Sequence, residues 1–332
     1  MRRRDFLSAV AVAGLVPASA REALRALAAG HHPAPGARAG EAYALVLGTA
    51  QDAGFPQVGC YTALCDEGRR LHREGRGRYV ASLALVEPAA ERFWLVDATP
   101  DITRQLDLVD EPAFRRRAGE RRPFDGIFLT HAHIGHYDGL AVLGNEGLGI
   151  RDTPVYCTDA MAAFLEASDP WRFMVRQGRI RPTPLPLDTW HRLDENLEVQ
   201  LWKVPHRDEL ADTVAFVFRG PSRTLLYLPD INGWHAWERD LASAVEGVDV
   251  ALLDASFWSG DEVPGRAEED IPHPLVTRTM ELLQDVADRR TSRVVLTHLN
   301  NTNPALWEDG PQAAEVGRRG FEIAREGMRF DL

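Results

Sequence analysis

The chain is organised around residues 124–139, which read Phe124-Asp-Gly-Ile-Phe-Leu-Thr-His131-Ala-His133-Ile-Gly135-His136-Tyr-Asp-Gly139. The apolar run from Ile127 to Leu129 predicts a buried β-strand. His131 and His133 follow it two residues apart, so both rings project to the same side where the strand ends. Neutral imidazole is a common zinc ligand and also suits iron and copper. Because three of the chain's eleven histidines fall within six residues, the spacing favours a metal site over a set of surface histidines.

This spacing resembles the His-x-His-x-Asp-His signature of the metallo-β-lactamase fold, with Gly135 in the place of the aspartate. Further along, the chain is similar to one branch of that fold, the coenzyme PQQ (pyrroloquinoline quinone) synthesis protein B family. Three segments carry this similarity: Asp254-Ala-Ser-Phe-Trp258-Ser-Gly-Asp-Glu262, Ile271-Pro-His273 and Thr297-His298-Leu-Asn300-Asn-Thr-Asn303-Pro304. Members of the branch commonly carry Asp-Ala-Gln-x-Asp-His at the position of residues 131–136, so this chain departs from them there.

From residue 42 onward, predicted strands come first and then alternate with predicted helices. Besides the strand before His131, strands are predicted at 43–47, 81–86, 93–96, 154–158, 199–204, 213–218, 224–228, 248–253 and 293–296. Helices are predicted at 101–109, 160–167, 234–245, 275–286 and 312–325. Two sheets with helices on both outer faces fit this order. We therefore expect an α/β fold, a metallo-β-lactamase-like αββα four-layer sandwich, as a single domain over residues 41–332.

The resemblance implies two adjacent metal positions formed by residues at strand ends. The implied ligands are His131, His133, His136, His206, Asp230 and His298. Of these, His131, His133 and His206 form the first position, Asp230 bridges, and the other two histidines contribute to the second. Gly135 supplies no carboxylate and Asp138 lies beyond His136. We therefore expect the second position to bind weakly, so that the protein holds one or two ions.

The implied activity is that of a metal-dependent hydrolase acting on a small-molecule substrate. Zinc is the expected metal, with iron or manganese as alternatives. Three imidazoles and an open position let Zn²⁺ lower the pKa of a bound water to about 7, which gives a hydroxide at neutral pH. Asp230 is the candidate to orient that water or take its proton. His273 fits a proton donor to the leaving group and fits a helix-capping residue equally well. Thr49, Gln51 and Asp52 correspond to a substrate-lining loop of relatives.

Two other functions stay open at this point, both within pyrroloquinoline quinone biosynthesis. One is an iron-dependent oxygenase, since histidine and carboxylate ligands also suit iron. The other is a non-catalytic carrier of a quinone-like molecule. The net charge of −11 does not favour a nucleic-acid surface.

The first 20 residues are organised like an export signal. A basic segment, Arg2-Arg3-Arg4, precedes a short apolar run and the small residues Ala18-Ser-Ala20, as in signal peptides. Arg3-Arg4-Asp5-Phe6-Leu7 resembles a twin-arginine signal, and the apolar run is too short to span a bilayer. Residues 21–40 are predicted to be a linker. We expect the export machinery as a partner and a periplasmic or secreted mature protein.

The three cysteines fit that expectation without deciding it. Cys60 and Cys65 lie in one loop, where they either form a disulfide in an oxidising compartment or help to hold a structural zinc. Cys157 ends a predicted strand and is expected to be buried.

Overall fold

A computed structural model describes residues 41–262 and 271–332 of the chain. The predicted export signal and linker, residues 1–40, lie outside the described residues. Within the described part, two seven-stranded mixed sheets face one another. No helix there is long and apolar enough to cross a membrane.

The first sheet contains, from one edge to the other, β14 (Arg329–Asp331), β1 (Tyr43–Gly48), β2 (Ser82–Glu87), β3 (Arg92–Val96), β4 (Gly126–Phe128), β5 (Thr153–Cys157) and β6 (Ile180–Pro184). Strands β14, β1, β2 and β3 pair antiparallel. Strands β3 to β6 pair parallel. Because β1 and β3 are both antiparallel to β2, they point the same way.

The second sheet contains, again from one edge to the other, β13 (Glu322–Ile323), β12 (Arg293–Thr297), β11 (Val250–Asp254), β10 (Thr224–Leu228), β9 (Thr213–Arg219), β8 (Glu198–Val204) and β7 (His191–Arg192). Strands β10 to β13 pair parallel, whereas β7 to β10 pair antiparallel. Strands β8 and β10 therefore end at the same edge.

The described α-helices are α1 (Ala63–Arg73), α2 (Ile102–Gln105), α3 (Pro112–Gly119), α4 (Ile134–Tyr137), α5 (Asp159–Ala167), α6 (Trp171–Arg176), α7 (Leu241–Glu246), α8 (Val276–Leu282), α9 (Gln284–Arg289) and α10 (Pro311–Arg318). Short 3-10 helices lie at Leu106–Leu108, Asp138–Leu143, Trp234–Ala236, Gly260–Glu262 and Pro304–Leu306.

Three apolar layers hold these elements together. The layer between the sheets contains Trp94, Phe128, Phe216, Phe218 and Tyr227, all buried. The outer face of each sheet carries its own buried layer, packed against helices. The order of layers is helix, sheet, sheet, helix, which confirms the predicted αββα sandwich and single domain.

Four predicted helices are shorter than expected or broken. The helix predicted at 101–109 is α2 followed by the 3-10 turn Leu106–Leu108. The helix predicted at 234–245 is a 3-10 turn followed by α7, because the Asp240 carboxylate caps α7 by accepting the N–H of Ser243 at 2.9 Å. The helix predicted at 275–286 breaks at Leu283, whose φ of −107° and ψ of 9° leave the helical region. The helix predicted at 312–325 ends at Arg318, and Gly320 at φ 83° turns the chain toward β13 and β14.

The cysteine loop has a defined geometry. Cys60 and Cys65 form a disulfide, which is the first of the two predicted alternatives. The bridge lies at the start of α1, where the Thr62 hydroxyl accepts the N–H of Cys65. Cys157 is free and buried, as expected.

Candidate metal centre

The centre lies where strands of both sheets end at one edge of the sandwich. Parallel strands place the residues that follow them at a common edge, and such edges are the usual binding sites of α/β proteins. The loops after β1, β4, β8, β10 and β12 all reach this edge. They bring the six predicted ligands together in two groups, and within each group the donor atoms lie within 4.8 Å of one another. A third group of this kind joins Asp230 and His298 to Asp254 and His273.

The first group is His131, His133 and His206. His131 Nε2 lies 2.9 Å from His133 Nδ1. The other nitrogens of all three rings have partners. His131 Nδ1 lies 2.9 Å from Thr130 Oγ1, His133 Nε2 lies 3.0 Å from Glu209 Oε2 and His206 Nδ1 lies 3.1 Å from Asn232 Oδ1. Partners of this kind fix the orientation of an imidazole and leave the opposite nitrogen for a metal.

The second group is Asp52, His136, Asp230 and His298. His136 Nε2 lies 3.0 Å from Asp52 Oδ1 and 3.0 Å from Asp230 Oδ2. His298 Nε2 lies 3.1 Å from Asp230 Oδ2. Here too the opposite nitrogens are engaged, His136 Nδ1 at 2.8 Å from Asp97 and His298 Nδ1 at 3.0 Å from Ser256.

Asp230 lies between the two groups, as predicted for a bridging residue. Its Oδ1 is 3.6 Å from His206 Nε2, and its Oδ2 is 3.8 Å from His131 Nε2. The same Oδ2 faces the histidines of the second group. One carboxylate is thus within 4 Å of both groups, a placement that suits a ligand shared by two cations.

The donor atoms fit a metal because several are buried without hydrogen-bond partners. These atoms are His206 Nε2, Asp230 Oδ2 and His298 Nε2. Buried polar atoms in folded proteins are normally hydrogen-bonded, so three orphaned atoms facing one centre indicate a bound cation. Imidazole and carboxylate donors fit zinc, and they fit iron or manganese as well.

Two effects set the charge states of these residues: burial and the charges of the neighbouring histidines and carboxylates. Burial lowers the pKa of His206 to about 4. Burial and the neighbouring His136 also hold the pKa of His131 well below its usual value. Burial opposes the charged form of His136, yet the Asp97, Asp230 and Asp52 carboxylates raise its pKa well above the usual value. Burial would likewise raise the pKa of Asp230, but His298 and His136 hold it well below its usual range.

His273 is a buried part of the centre rather than an exposed capping residue. Its Nδ1 lies 2.8 Å from Asp254 Oδ2 and 3.6 Å from Asp230 Oδ1. Burial opposes protonation, but Asp254 raises the pKa of His273 above its ordinary value. Its Nε2 faces the amide of Gln51 at 3.4 Å. The ring is thus held through Nδ1 by Asp254, next to the bridging Asp230.

The structure adds a carboxylate, that of Asp52, to the second donor group, which was expected to lack one. Asp52 was expected in a substrate-lining loop, whereas its carboxylate belongs to the second donor group. A Cβ at Gly135 would lie 2.4 Å from Asp52 Oδ1, so Asp52 occupies the space that an aspartate at 135 would need. Asp138 belongs to none of the donor groups found in the described residues.

Sequence reasoning also missed Asp97 and overlooked the site role of Asp254. Asp97 directly follows β3, so the strand-end rule that identified the other residues would have found it. Asp97 and His298 both have left-handed backbones, with φ of 62° and 61°. Residues other than glycine rarely adopt this conformation, and such strained backbone is found at active sites as well as in turns.

The relatives of this chain agree with its fold. The model of a family described as "Beta-lactamase superfamily domain" matches residues 92–299. Coenzyme PQQ synthesis protein B of Pseudomonas putida (strain W619) is 30% identical over 323 residues, which cover 87% of this chain and 100% of that protein. The chain belongs to the coenzyme PQQ synthesis protein B family of the beta-lactamase superfamily. Another member, from Cupriavidus necator (strain H16), is 29% identical over 86% of this chain and 98% of its own length.

Solved structures show the same fold. The crystal structure of Zn(2+)-bound PqqB from Methylobacterium extorquens superposes with a TM-score of 0.72 at 25% identity, covering 87% of this chain and 100% of that one. A diphosphatase from the PhnP family superposes with a TM-score of 0.60 at 18% identity, covering 88% and 97%. The second likeness concerns the fold alone. The coenzyme PQQ synthesis protein B family thus shares the sandwich that positions the centre described above.

Proposed function

We propose that this chain is a metal-dependent hydrolase of a small molecule, with zinc as its metal at two adjacent positions. The observation that carries the proposal is Asp230, a buried carboxylate within 4 Å of histidines from both donor groups. The orphaned nitrogens of His206 and His298 support it. The zinc bound by PqqB from Methylobacterium extorquens supports the choice of metal.

The chain's own residues divide the work of hydrolysis. Zinc in these positions lowers the pKa of a coordinated water to about 7 and polarises the bond to be cleaved. Asp230 orients the attacking water through Oδ2, the oxygen that lies between the two donor groups. His273 holds a proton on Nε2, and Asp254 stabilises the charged ring from Nδ1 at 2.8 Å. That proton is positioned for transfer to a leaving group.

A cavity on the His273 side of the centre fits a small-molecule substrate. Its volume is about 610 Å³, and its lining includes Asn232, Trp234, Trp237, His273 and Arg278. Cavities of roughly 300–1,000 Å³ are usual for small ligands. The two indoles supply an apolar wall, while Asn232 and His273 connect the cavity to the metal-binding residues.

The test is hydrolysis by the zinc-loaded protein of a panel of esters, thioesters, lactams and phosphodiesters. We expect turnover of at least one class, its loss on chelation and its return when zinc is restored. His133→Ala removes a donor of the first group and should abolish both the ion of the first position and turnover. The matched control is His191→Ala in β7, a histidine outside all donor groups, which should change neither. A fully loaded protein that cleaves no class of substrate contradicts the proposal.

A second candidate is an iron-dependent oxygenase or a carrier in pyrroloquinoline quinone biosynthesis. Similarity over the full length of the Pseudomonas putida protein favours it. Oxygen consumption by the iron-loaded protein with a quinone-like substrate would indicate the oxygenase. Binding of that molecule with equal affinity before and after metal removal would indicate the carrier.

A further inference from the structure

We propose that Asp52 is a ligand of the second metal position, where it takes over from the aspartate of the His-x-His-x-Asp-His signature. The carboxylate then comes from the loop after β1 instead of the loop after β4. This inference rests on the metal centre of the proposed function and does not depend on hydrolysis.

The position of the Asp52 carboxylate is that of a ligand. Its Oδ1 lies 3.0 Å from His136 Nε2 and 3.6 Å from His298 Nε2. Asp230 Oδ2 lies at 3.0 and 3.1 Å from the same two nitrogens. Two carboxylate oxygens and two imidazole nitrogens therefore surround one point. His298 Nε2 and Asp230 Oδ2 are buried there without hydrogen-bond partners, which points independently to a cation.

Gly135 is explained by the space that Asp52 needs. Its φ is not positive, so the backbone does not require glycine at this point of α4. An added Cβ would lie 2.4 Å from Asp52 Oδ1 and 2.7 Å from Asp52 Cα, closer than non-bonded atoms approach. A side chain at 135 therefore requires both the Asp52 carboxylate and the Asp52 backbone to move, and the chain instead has glycine at 135 and a carboxylate at 52.

The loop that carries Asp52 is held beside His298 by backbone hydrogen bonds. Gln51 N–H donates to Leu299 O at 3.0 Å, and Leu299 N–H donates to Thr49 O at 2.9 Å. Ala50 is tied on its other side, since Ala81 N–H donates to Ala50 O at 2.8 Å. These bonds bring Asp52 next to His298 without help from a metal. A ligand placed in advance loses little conformational entropy when the ion binds.

The experiment is a ligand exchange, read out as zinc per protein by elemental analysis and as affinity by competitive titration. The wild type should bind two equivalents. Asp52→Gly should keep one and bind the second about tenfold or more weakly, since it lacks an anionic ligand. Gly135→Asp alone should also lose the second ion, because the two carboxylates collide. The double variant Asp52→Gly/Gly135→Asp removes the collision of the side chains, and it should regain two equivalents when the loop after β1 shifts to relieve the remaining 2.7 Å contact with the Cα of residue 52.

Two further variants keep the test decisive if an aspartate at 135 disturbs folding. Gly135→Ala adds only the Cβ, which would displace the Asp52 carboxylate and the Cα of residue 52, so it should weaken the second ion in the wild-type background. Asp138→Asn is the matched control, an acidic residue near His136 that lies outside the donor groups, and should leave two equivalents. Two tight ions in Asp52→Gly, or only one in the wild type, would overturn the assignment. A protein that binds two ions yet hydrolyses nothing contradicts the proposed function and leaves Asp52 as a ligand.

Discussion

The histidines of the centre each have one nitrogen that is held by a neighbour and another that faces the shared space. For His136 the neighbour is Asp97, which also accepts hydrogen bonds from the backbone and hydroxyl of Thr130 at 2.9 and 3.0 Å. Asp97 is fully buried. It therefore fixes both the ring orientation of His136 and the start of the loop that carries the three histidines.

We predict that Asp97→Asn weakens the second zinc position by about 10–100-fold, as is usual when a partner of a metal ligand is changed. Asparagine keeps the shape and tolerates the left-handed backbone, but it removes the charge that holds the ring. The measurement is zinc titration against a coloured chelator. Asp152→Asn is the control, because Asp152 has a similar backbone, with φ 45°, but is exposed and paired with Arg181. Equal affinities for both variants would show that Asp97 does not position the site.

At the scale of elements, β4 joins the core to the metal centre. Phe128 ends this strand three residues before His131 and lies between the sheets. Its ring centroid is 4.9 Å from Tyr156, 5.2 Å from Phe216 and 5.3 Å from Phe218. The aromatic cluster thus anchors the strand from which the histidine loop begins.

Phe128→Ala should lower the free energy of unfolding by about 3–5 kcal/mol, because it leaves a cavity between the sheets. Phe128→Leu keeps most of the volume and should cost less than about 1.5 kcal/mol. Urea unfolding gives both values. Phe173→Ala serves as the control, since Phe173 is 44% exposed. This substitution should change the free energy of unfolding by no more than about 0.5 kcal/mol. A small effect at Phe128 would mean that the inter-sheet layer repacks around the gap.

The inner strands were predictable because their signal is local, whereas the four edge strands β6, β7, β13 and β14 were missed. Apolar runs such as Thr224–Leu228 fix both the existence and the ends of a strand. Helix ends depend on single caps and turns, so the capping carboxylate of Asp240 and the turn at Gly320 were missed. The place of Asp52 in the second donor group could not be predicted from such local signals. It is 84 residues from His136 in sequence, and only the pairing of its loop with the segment after β12 brings the two together.

Glu87 at the end of β2 makes stability depend on pH. Burial and the nearby Asp194 raise the pKa of Glu87 from 4.5 to about 7. The folded state therefore binds this proton more tightly than the unfolded state does. The resulting stabilisation is complete below pH 4.5 and is lost as pH rises through about 7, which follows from proton linkage.

Glu87→Gln should therefore raise the melting temperature, and the gain should be larger at pH 8 than at pH 6. The neutral amide keeps the shape of the side chain and removes the buried charge. Thermal unfolding at the two pH values measures the effect. Glu195→Gln changes an exposed acid in the nearby turn before β8 and should shift both melting temperatures alike. A gain at Glu87 that is the same at both pH values would rule out its titration as the cause.

For the whole molecule, the disulfide bears on where the protein works. Cys60 and Cys65 are joined, and the Asn301 amide lies 3.4 Å from Cys60 Sγ, within the segment that follows His298. Disulfides persist in oxidising compartments and are rare in the cytosol. The bridge therefore supports, from outside the first 40 residues, the proposal that the protein is exported.

We propose export by the twin-arginine route, on the basis of Arg3-Arg4-Asp5-Phe6-Leu7 and the small residues Ala18-Ser-Ala20. Replacing Arg3 and Arg4 by lysine keeps the positive charge but removes the paired arginines, so a full-length precursor should accumulate in the cytoplasm. Because the cytosol keeps thiols reduced, Cys60 and Cys65 of that precursor should react with a thiol label, while those of the exported wild type should not. The control is Arg2→Lys, which changes an arginine outside the pair and should leave export intact. Cell fractionation, sequencing of the N-terminus and thiol labelling provide three independent measurements. An unprocessed wild type that stays in the cytoplasm with free Cys60 and Cys65 would contradict the proposal, and the disulfide would then need another explanation.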